Sequence, residues 1–186
     1  MRIILASGSP RRTELLPRLV DSFDVIPSDV VEPTEGAPED RVLSGARLKA
    51  HDVASRHRGM VIGADTLVAI GDRVLGKPSS REEAREMLRE LSGREHRVLT
   101  GLCVLSGWSG EELTSLEETV VRFRLLGEGE IDAYLATGEG DDKAGAYAIQ
   151  SRAALFVEGI RGDFYNVMGL PLCRLGLMLR EMGVRV

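Results

Sequence analysis

Apolar and polar positions change period several times along the chain, and each change marks an element. Residues 2–6 are a short apolar run that reads as a buried strand. Ser9 as N-cap and Pro10 at the first helical position then open a helix carrying Leu15, Leu16 and Leu19. Pro17 removes a backbone donor and is expected to kink or shorten that helix. Residues 23–27 predict a short strand, and 32–38 a loop. From about 38 to about 57 the period becomes helical, with Val42, Ala46, Val53 and Ala54 on the inner stripe. Lys49 lies seven residues after Val42 and four before Val53, so it shares that stripe.

Residues 60–70 form an apolar strand interrupted only by Asp65 and Thr66. Gly71 and Asp72 read as a hairpin turn, with 73–75 as the return. A helix over 79–91 carries a capping box in Ser80 and Glu83, an inner face of Ala84, Met87, Leu88 and Leu91, and a stop at Gly93. Long strands are expected at 96–106 and 114–125, the second alternating through Thr119, Val121 and Phe123. A short helix near 128–136 stops at Gly138, and strands are expected near 145–149 and 153–160. The closing helix starts near Pro171 and buries Leu172, Leu175, Met178 and Leu179. The fold class is α/β with a mixed sheet and flanking helices, because adjacent long strands interrupt the strand–helix alternation. With no linker, repeat or low-complexity tract, residues 1–186 are expected to form one domain, or two lobes sharing a sheet.

Composition narrows the function classes. A 43% hydrophobic and 28% charged content over 186 residues fits a globular protein with a real core. A net charge of −5 argues against a nucleic-acid coat or a polybasic membrane binder, so neither partner is expected. Cys103 and Cys173 make no disulfide framework. The apolar runs are too short for a signal peptide or a membrane span, which predicts a cytoplasmic protein. Of the 24 basic residues only Lys49, Lys77 and Lys143 are lysines, and Gln150 and Asn166 are the sole amides. A bias this strong, whether genomic or thermal in origin, makes the survivors informative. Arg does not mimic a compact ammonium, nor a neutral amide.

Four stretches carry candidate chemistry. Ser7-Gly8-Ser9-Pro10-Arg11-Arg12 takes a strand into a helix start flanked by arginines, a setting for an anion. An ordinary capped helix with surface arginines would carry the same letters. Lys49 either contributes its ammonium to a site or snorkels its head to water. Asp65, embedded in apolar sequence, needs a cation, a metal or hydrogen-bond donors, and Lys77 returns after the hairpin. A carboxylate accepting turn N–H groups is the plainer alternative. Residues 141–150 place Lys143 among small residues and end on Gln150, either a ligand-facing loop or simply a loop and strand. The three histidines have no zinc spacing, and neither a Walker loop nor a G-x-S-x-G elbow is present.

In order along nearly the whole chain, these segments resemble the Maf family of nucleoside triphosphate pyrophosphatases. The resemblance is carried by residues 6–12 with Glu14-Leu15-Leu16, by Glu32, and by Ala46 to Ala50 through Lys49. Gly63-Ala64-Asp65-Thr66, Gly76-Lys77-Pro78, Leu91-Ser92-Gly93, and Val98 with Thr100-Gly101 continue it; Asp142 to Gln150 and Tyr165 to Pro171 complete it. Ser151, where the family often has Gly, and Pro17 depart from the pattern. The resemblance implies two lobes around a nucleotide cleft, as in inosine triphosphate pyrophosphatases, and hydrolysis between the α- and β-phosphates. It implies Mg²⁺ or Mn²⁺ held by Glu32 and Asp65, with Asp65 as proton acceptor or metal ligand. Arg12, Lys49 and Lys77 would neutralise charge at the α-phosphate, with Ser7, Ser9 and Lys143 as further substrate contacts. Arg11, Thr66 and Gln150 match the subgroup that cleaves dTTP and UTP. A 7-methyl-GTP substrate, a role in septum formation with incidental turnover, and a homodimer are further family associations.

Overall fold

The computed structural model describes residues Met1–Val186, which divide into two compact units. The first comprises 1–66, 100–117 and 169–186; the second comprises 67–99 and 118–168. Strands β1 (Ile3–Leu5), β2 (Asp24–Val25), β3 (Met60–Ile70), β4 (Arg73–Leu75), β5 (Glu95–Ser106), β6 (Glu112–Phe123) and β7 (Val157–Arg161) are ordered β2-β1-β3-β5-β6-β7, with β4 on β3. Three of the four unit boundaries fall inside β3, β5 and β6, and the fourth lies between residues 168 and 169. Pairing is mixed, as expected: β1 runs parallel to β2 and β3, while β3–β4 and β6–β7 are antiparallel.

In the first unit, helix α1 (Pro10–Leu15) gives way to a 3-10 turn over Leu16–Arg18, the shortening that Pro17 predicts. Helix α2 (Pro38–Arg56) buries Val42, Ala46, Ala50 and Val53, the last three against Ile4, Ala6, Val61, Cys103 and Leu105. It packs almost directly on the main chain of the sheet. A Cβ on Gly63 of β3 would fall 2.1 Å from the Ala46 carbonyl oxygen, and one on Gly101 of β5 would fall 2.2 Å from that of Val42. Helix α6 (Leu172–Glu181) closes this unit with Leu172, Leu175, Met178 and Leu179 inward, as expected.

In the second unit, helices α3 (Arg81–Leu91) and α4 (Glu128–Leu135) are joined by ion pairs of Arg89 with Glu128 and of Arg85 with Asp132. Ser80 caps α3 through the Glu83 N–H, but Glu83 reaches back to Ser79 rather than to Ser80, so the box closes one residue early. The core is aromatic, with edge-on contacts among His96, Phe123, Tyr147, Phe156 and Tyr134. The strand expected at 145–149 does not form. Gly145 and Ala146 take positive φ values of 71° and 59°, which break an extended chain, and the segment is a 3-10 turn over Ala144–Ala146. The next expected strand begins only at Val157, after a 3-10 turn over Arg152–Phe156. A one-turn helix α5 (Phe164–Val167), capped by Asp163 on the Tyr165 N–H, was not anticipated. No helix of either unit is long and apolar enough to cross a membrane.

Candidate active site

The apolar stripe of α2 delivers Lys49 into the first unit with its side chain only 11% exposed. Its ammonium donates to Asp65 Oδ1 at 2.8 Å and to Glu32 Oε1 at 2.5 Å. Asp65 comes from the middle of β3 and is 7% exposed, whereas Glu32, on the loop before α2, is half-exposed. Gly45, one turn before Lys49, makes the arrangement possible: a Cβ there would fall 2.3 Å from Asp65 Oδ2. Burial raises the Asp65 pKa above its ordinary value, with Glu32 pushing the same way and Lys49 and Arg12 pulling against them. A carboxylate with raised proton affinity suits a general base.

Two carboxylates meeting on one ammonium are a hard-oxygen donor set. No cluster of three or more metal-ligating side chains exists in the chain. The oxygens of Glu32 and Asp65 fit the needs of a cation of the Mg²⁺ kind, which takes one or two protein carboxylates and fills its remaining positions with water and substrate oxygens. They do not fit an all-protein metal cage.

Arg12 is the most heavily bonded side chain of the site. Its Nε donates to Gly169 O at 2.8 Å, and its Nη1 to Ser7 Oγ at 3.1 Å and Ala64 O at 2.9 Å. Its Nη2 donates to Thr66 Oγ1 at 3.0 Å. Four of the five guanidinium N–H groups thus face protein acceptors. Burial lowers its pKa and Asp65 opposes that, yet a guanidinium stays charged. Arg12 therefore clamps the end of β1, the centre of β3 and the start of the α6 segment, while its charge still acts on Asp65. Ser7 Oγ also accepts the Ser9 N–H at 3.2 Å, which orders the turn into α1. The Ser9 side chain makes no capping bond, and Arg11 is half-buried.

Thr66 follows Asp65 and is half-buried. Its hydroxyl lies 2.9 Å from that of Thr100, which is fully buried on β5. Sequence reasoning placed Thr100 in a motif without giving it a role. The available signal was a hydroxyl inside the apolar run Val98-Leu99-Thr100-Gly101-Leu102.

Lys77, Lys143 and Gln150 belong to the second unit. Lys77 is exposed just after β4, Lys143 pairs with Asp142, and Gln150 is exposed. Gly145 donates its N–H to Gly76 O at 3.1 Å and packs on Val68 with no room to spare, which ties the 141–150 segment to the Gly76-Lys77 turn. Asn166 has a structural job. Fully buried, it donates from Nδ2 to Val98 O and Thr119 Oγ1, both at 2.9 Å. Rarity thus marked residues of two kinds, a buried ammonium between acids and a buried amide that pins strands.

Comparison with known proteins adds three findings. The model of the Maf-like protein family matches residues 2–182. A Thermococcus gammatolerans protein named dTTP/UTP pyrophosphatase is 52% identical over 184 residues, covering 99% of this chain and 98% of its own; a Ruminiclostridium cellulolyticum protein of the same name is 44% identical over 188 residues, covering 99% and 97%. Among solved structures, the Staphylococcus aureus Ham1 protein shares the fold with a TM-score of 0.57 at 14% identity, over 98% of this chain and all of that one.

Proposed function

The chain belongs to the Maf family, and from that membership we propose that it hydrolyses dTTP and UTP to the monophosphate and pyrophosphate. The observation that carries the proposal is the Lys49 ammonium joining buried Asp65 to Glu32. A protein that merely held a triphosphate would gain from cations alone. Acids placed there repel the ligand unless they hold a metal or move a proton.

In the reaction, Asp65 accepts the proton of the attacking water at Oδ2, the oxygen that Lys49 does not hold. Lys49 keeps that carboxylate oriented and offsets its charge. Glu32 and Asp65 would hold Mg²⁺ or Mn²⁺, which when bound supplies neutralisation of the phosphate oxygens. Lys77 and Lys143 are assigned phosphate contacts, as point charges. Arg12 keeps Ser7, Ala64 and Thr66 in register and contributes charge at a distance. Arg11, Thr66 and Gln150 are assigned to the base. Thymine and uracil offer two carbonyl acceptors around one N3–H donor; Arg supplies donors only, Gln both kinds and Thr either. The enzyme is proposed to work as a cytoplasmic homodimer.

Product analysis with dTTP and UTP tests the proposal. Pyrophosphate and monophosphate in equal amounts are expected. Orthophosphate as the only phosphate product would exclude cleavage between the α- and β-phosphates.

A further inference from the structure

Gln150 is exposed, whereas the backbone under it is fastened on both sides. Ser151 donates its N–H to Ala148 O at 3.1 Å, which closes a turn over 148–151 with Ile149 and Gln150 at its tip. Ala148 and Ile149 are buried, so the turn stands on the core of the second unit. Both fastenings come from α4 and the turn that follows it. Tyr134, buried on α4, accepts the Ala148 N–H on its hydroxyl at 3.0 Å. Glu139, half-buried, accepts the Arg152 N–H on Oε2 at 3.1 Å. Gly140 beside it lies so close to the same segment that a Cβ there would fall 2.1 Å from Ala146 O. A phenylalanine at 134 would fill the same place in this aromatic core with no acceptor for Ala148.

We infer that Tyr134 and Glu139 are positioning residues for base selection: by accepting the N–H groups of Ala148 and Arg152, on either side of Gln150, they hold its side chain where it meets the substrate base. The inference rests on the reading of Gln150 as a base contact given above. In both bonds the backbone N–H is the donor, so the hold does not depend on where a hydroxyl proton points. A glutamine amide carries one donor group and one acceptor, and both count only if they line up with a base edge at once. On a fastened turn that alignment exists before the substrate arrives. On a loose turn it must be made during binding, and the ordering cost weakens the complex. Neither Tyr134 nor Glu139 needs to touch the substrate; both act through Gln150.

The test is kcat and KM for UTP and for CTP, by pyrophosphate release, in the natural protein, Tyr134→Phe, Glu139→Ala and Gln150→Ala. Tyr134→Phe and Glu139→Ala are also each combined with Gln150→Ala. Tyr134→Phe keeps the ring against Phe156, 5.2 Å between centroids, and removes the acceptor. Glu139→Ala removes the other acceptor, and carries the comparison alone if Tyr134→Phe does not fold by circular dichroism. Each is expected to raise KM for UTP with kcat held. Each should also lower the UTP:CTP ratio of kcat/KM roughly threefold to tenfold, the worth of one hydrogen bond, toward the value of Gln150→Ala. In the Gln150→Ala background neither should change the ratio further. A ratio intact in both single variants, whatever happens to kcat, means a merely structural role and overturns the inference while the reading of Gln150 stands. A ratio that falls by the same factor with and without Gln150 overturns it too. A ratio that moves in one variant alone keeps that residue and overturns the other. Gln150→Ala with an unchanged ratio, or a natural protein that takes CTP as readily as UTP, overturns the reading of Gln150 and the inference with it.

Discussion

Lys49 Nζ stands 2.8 Å from Asp65 Oδ1, and that one contact joins the longest helix of the chain to the strand at the centre of the candidate site. Replacing Lys49 by Met removes the two strongest influences that lower the Asp65 pKa, its charge and its hydrogen bond. Burial and Glu32 then act with less opposition, and the acidic limb of the kcat/KM–pH profile should move to higher pH. The rate itself should fall by about 10²- to 10⁴-fold, the usual worth of a general base and of the group that orients it.

Asp65→Asn should separate activity from stability. Folding raises the pKa of Asp65, so above its unfolded value the native state holds the proton more tightly than the unfolded chain, and ionisation costs stability as pH rises. The amide removes that cost while still accepting from Lys49. Turnover is expected to drop by orders of magnitude with no fall in thermal midpoint at pH 7.5. A protein that melts earlier would show that the ionised carboxylate stabilises the fold.

Gly45→Ala examines the seat of the carboxylate. Alanine ordinarily stabilises a helix interior by roughly 0.5–1 kcal/mol over glycine. Here its Cβ would meet Asp65 Oδ2 at 2.3 Å and must push the carboxylate aside. A displacement near 1 Å at a reacting group costs about 10²-fold in rate. Steady-state kinetics beside far-UV circular dichroism should show unchanged helicity with that loss of kcat. A fully active variant would mean that Asp65 has freedom the packing does not suggest.

His96 predicts a pH dependence of stability that has no link to the chemistry. Burial lowers its pKa from 6.5 to about 4. The unfolded chain takes up this proton near pH 6.5 and the native one only near 4, so the stabilisation is complete above that window and is lost as pH falls through it. By pH 5 the loss is about 2 kcal/mol. Urea unfolding at pH 8 and pH 5 should show it. His96→Phe should lower stability at both values, by removing the hydrogen bond to the Tyr147 hydroxyl 2.8 Å away, but should shrink the difference between them.

The two thiols should differ sharply. Cys103 is buried, and burial together with Glu112 pushes its pKa up to about 12, while Cys173 is exposed on α6. A thiol reagent at pH 8 should titrate one group per chain in the native protein and two in denaturant. Two fast groups in the native state would contradict the packing around Cys103.

What the sequence made legible was what has a period. The α2 stripe fixed the direction of Lys49, and the apolar run around Asp65 announced a buried carboxylate in want of a cation. Residues 145–149 have no such signal. Alanine and glycine carry little period, and the left-handed backbone at Gly145 answers to contacts with Val68 and Gly76 that lie far away in sequence. Arg12 shows a different limit. Its position in the motif was plain, but the occupancy of its N–H groups depends on carbonyls from Ala64 and Gly169, which only folding brings to it. Asn166 was noticed for its rarity, and rarity does not distinguish a buried structural amide from one that meets a ligand.

The seam between α2 and the sheet has a thermal consequence. Where Gly63 meets the Ala46 carbonyl and Gly101 meets that of Val42, main chain rests on main chain. Side chains there would hop between rotamers more often on heating and let the two layers drift apart. Without them, the spacing of the backbones that carry Lys49 and Asp65 is governed by bond geometry and atomic radii, which hardly change over the range in which a protein stays folded. The pair should keep its spacing up to the melting transition, so catalysis by this enzyme should be lost with the fold as a whole rather than fade ahead of it.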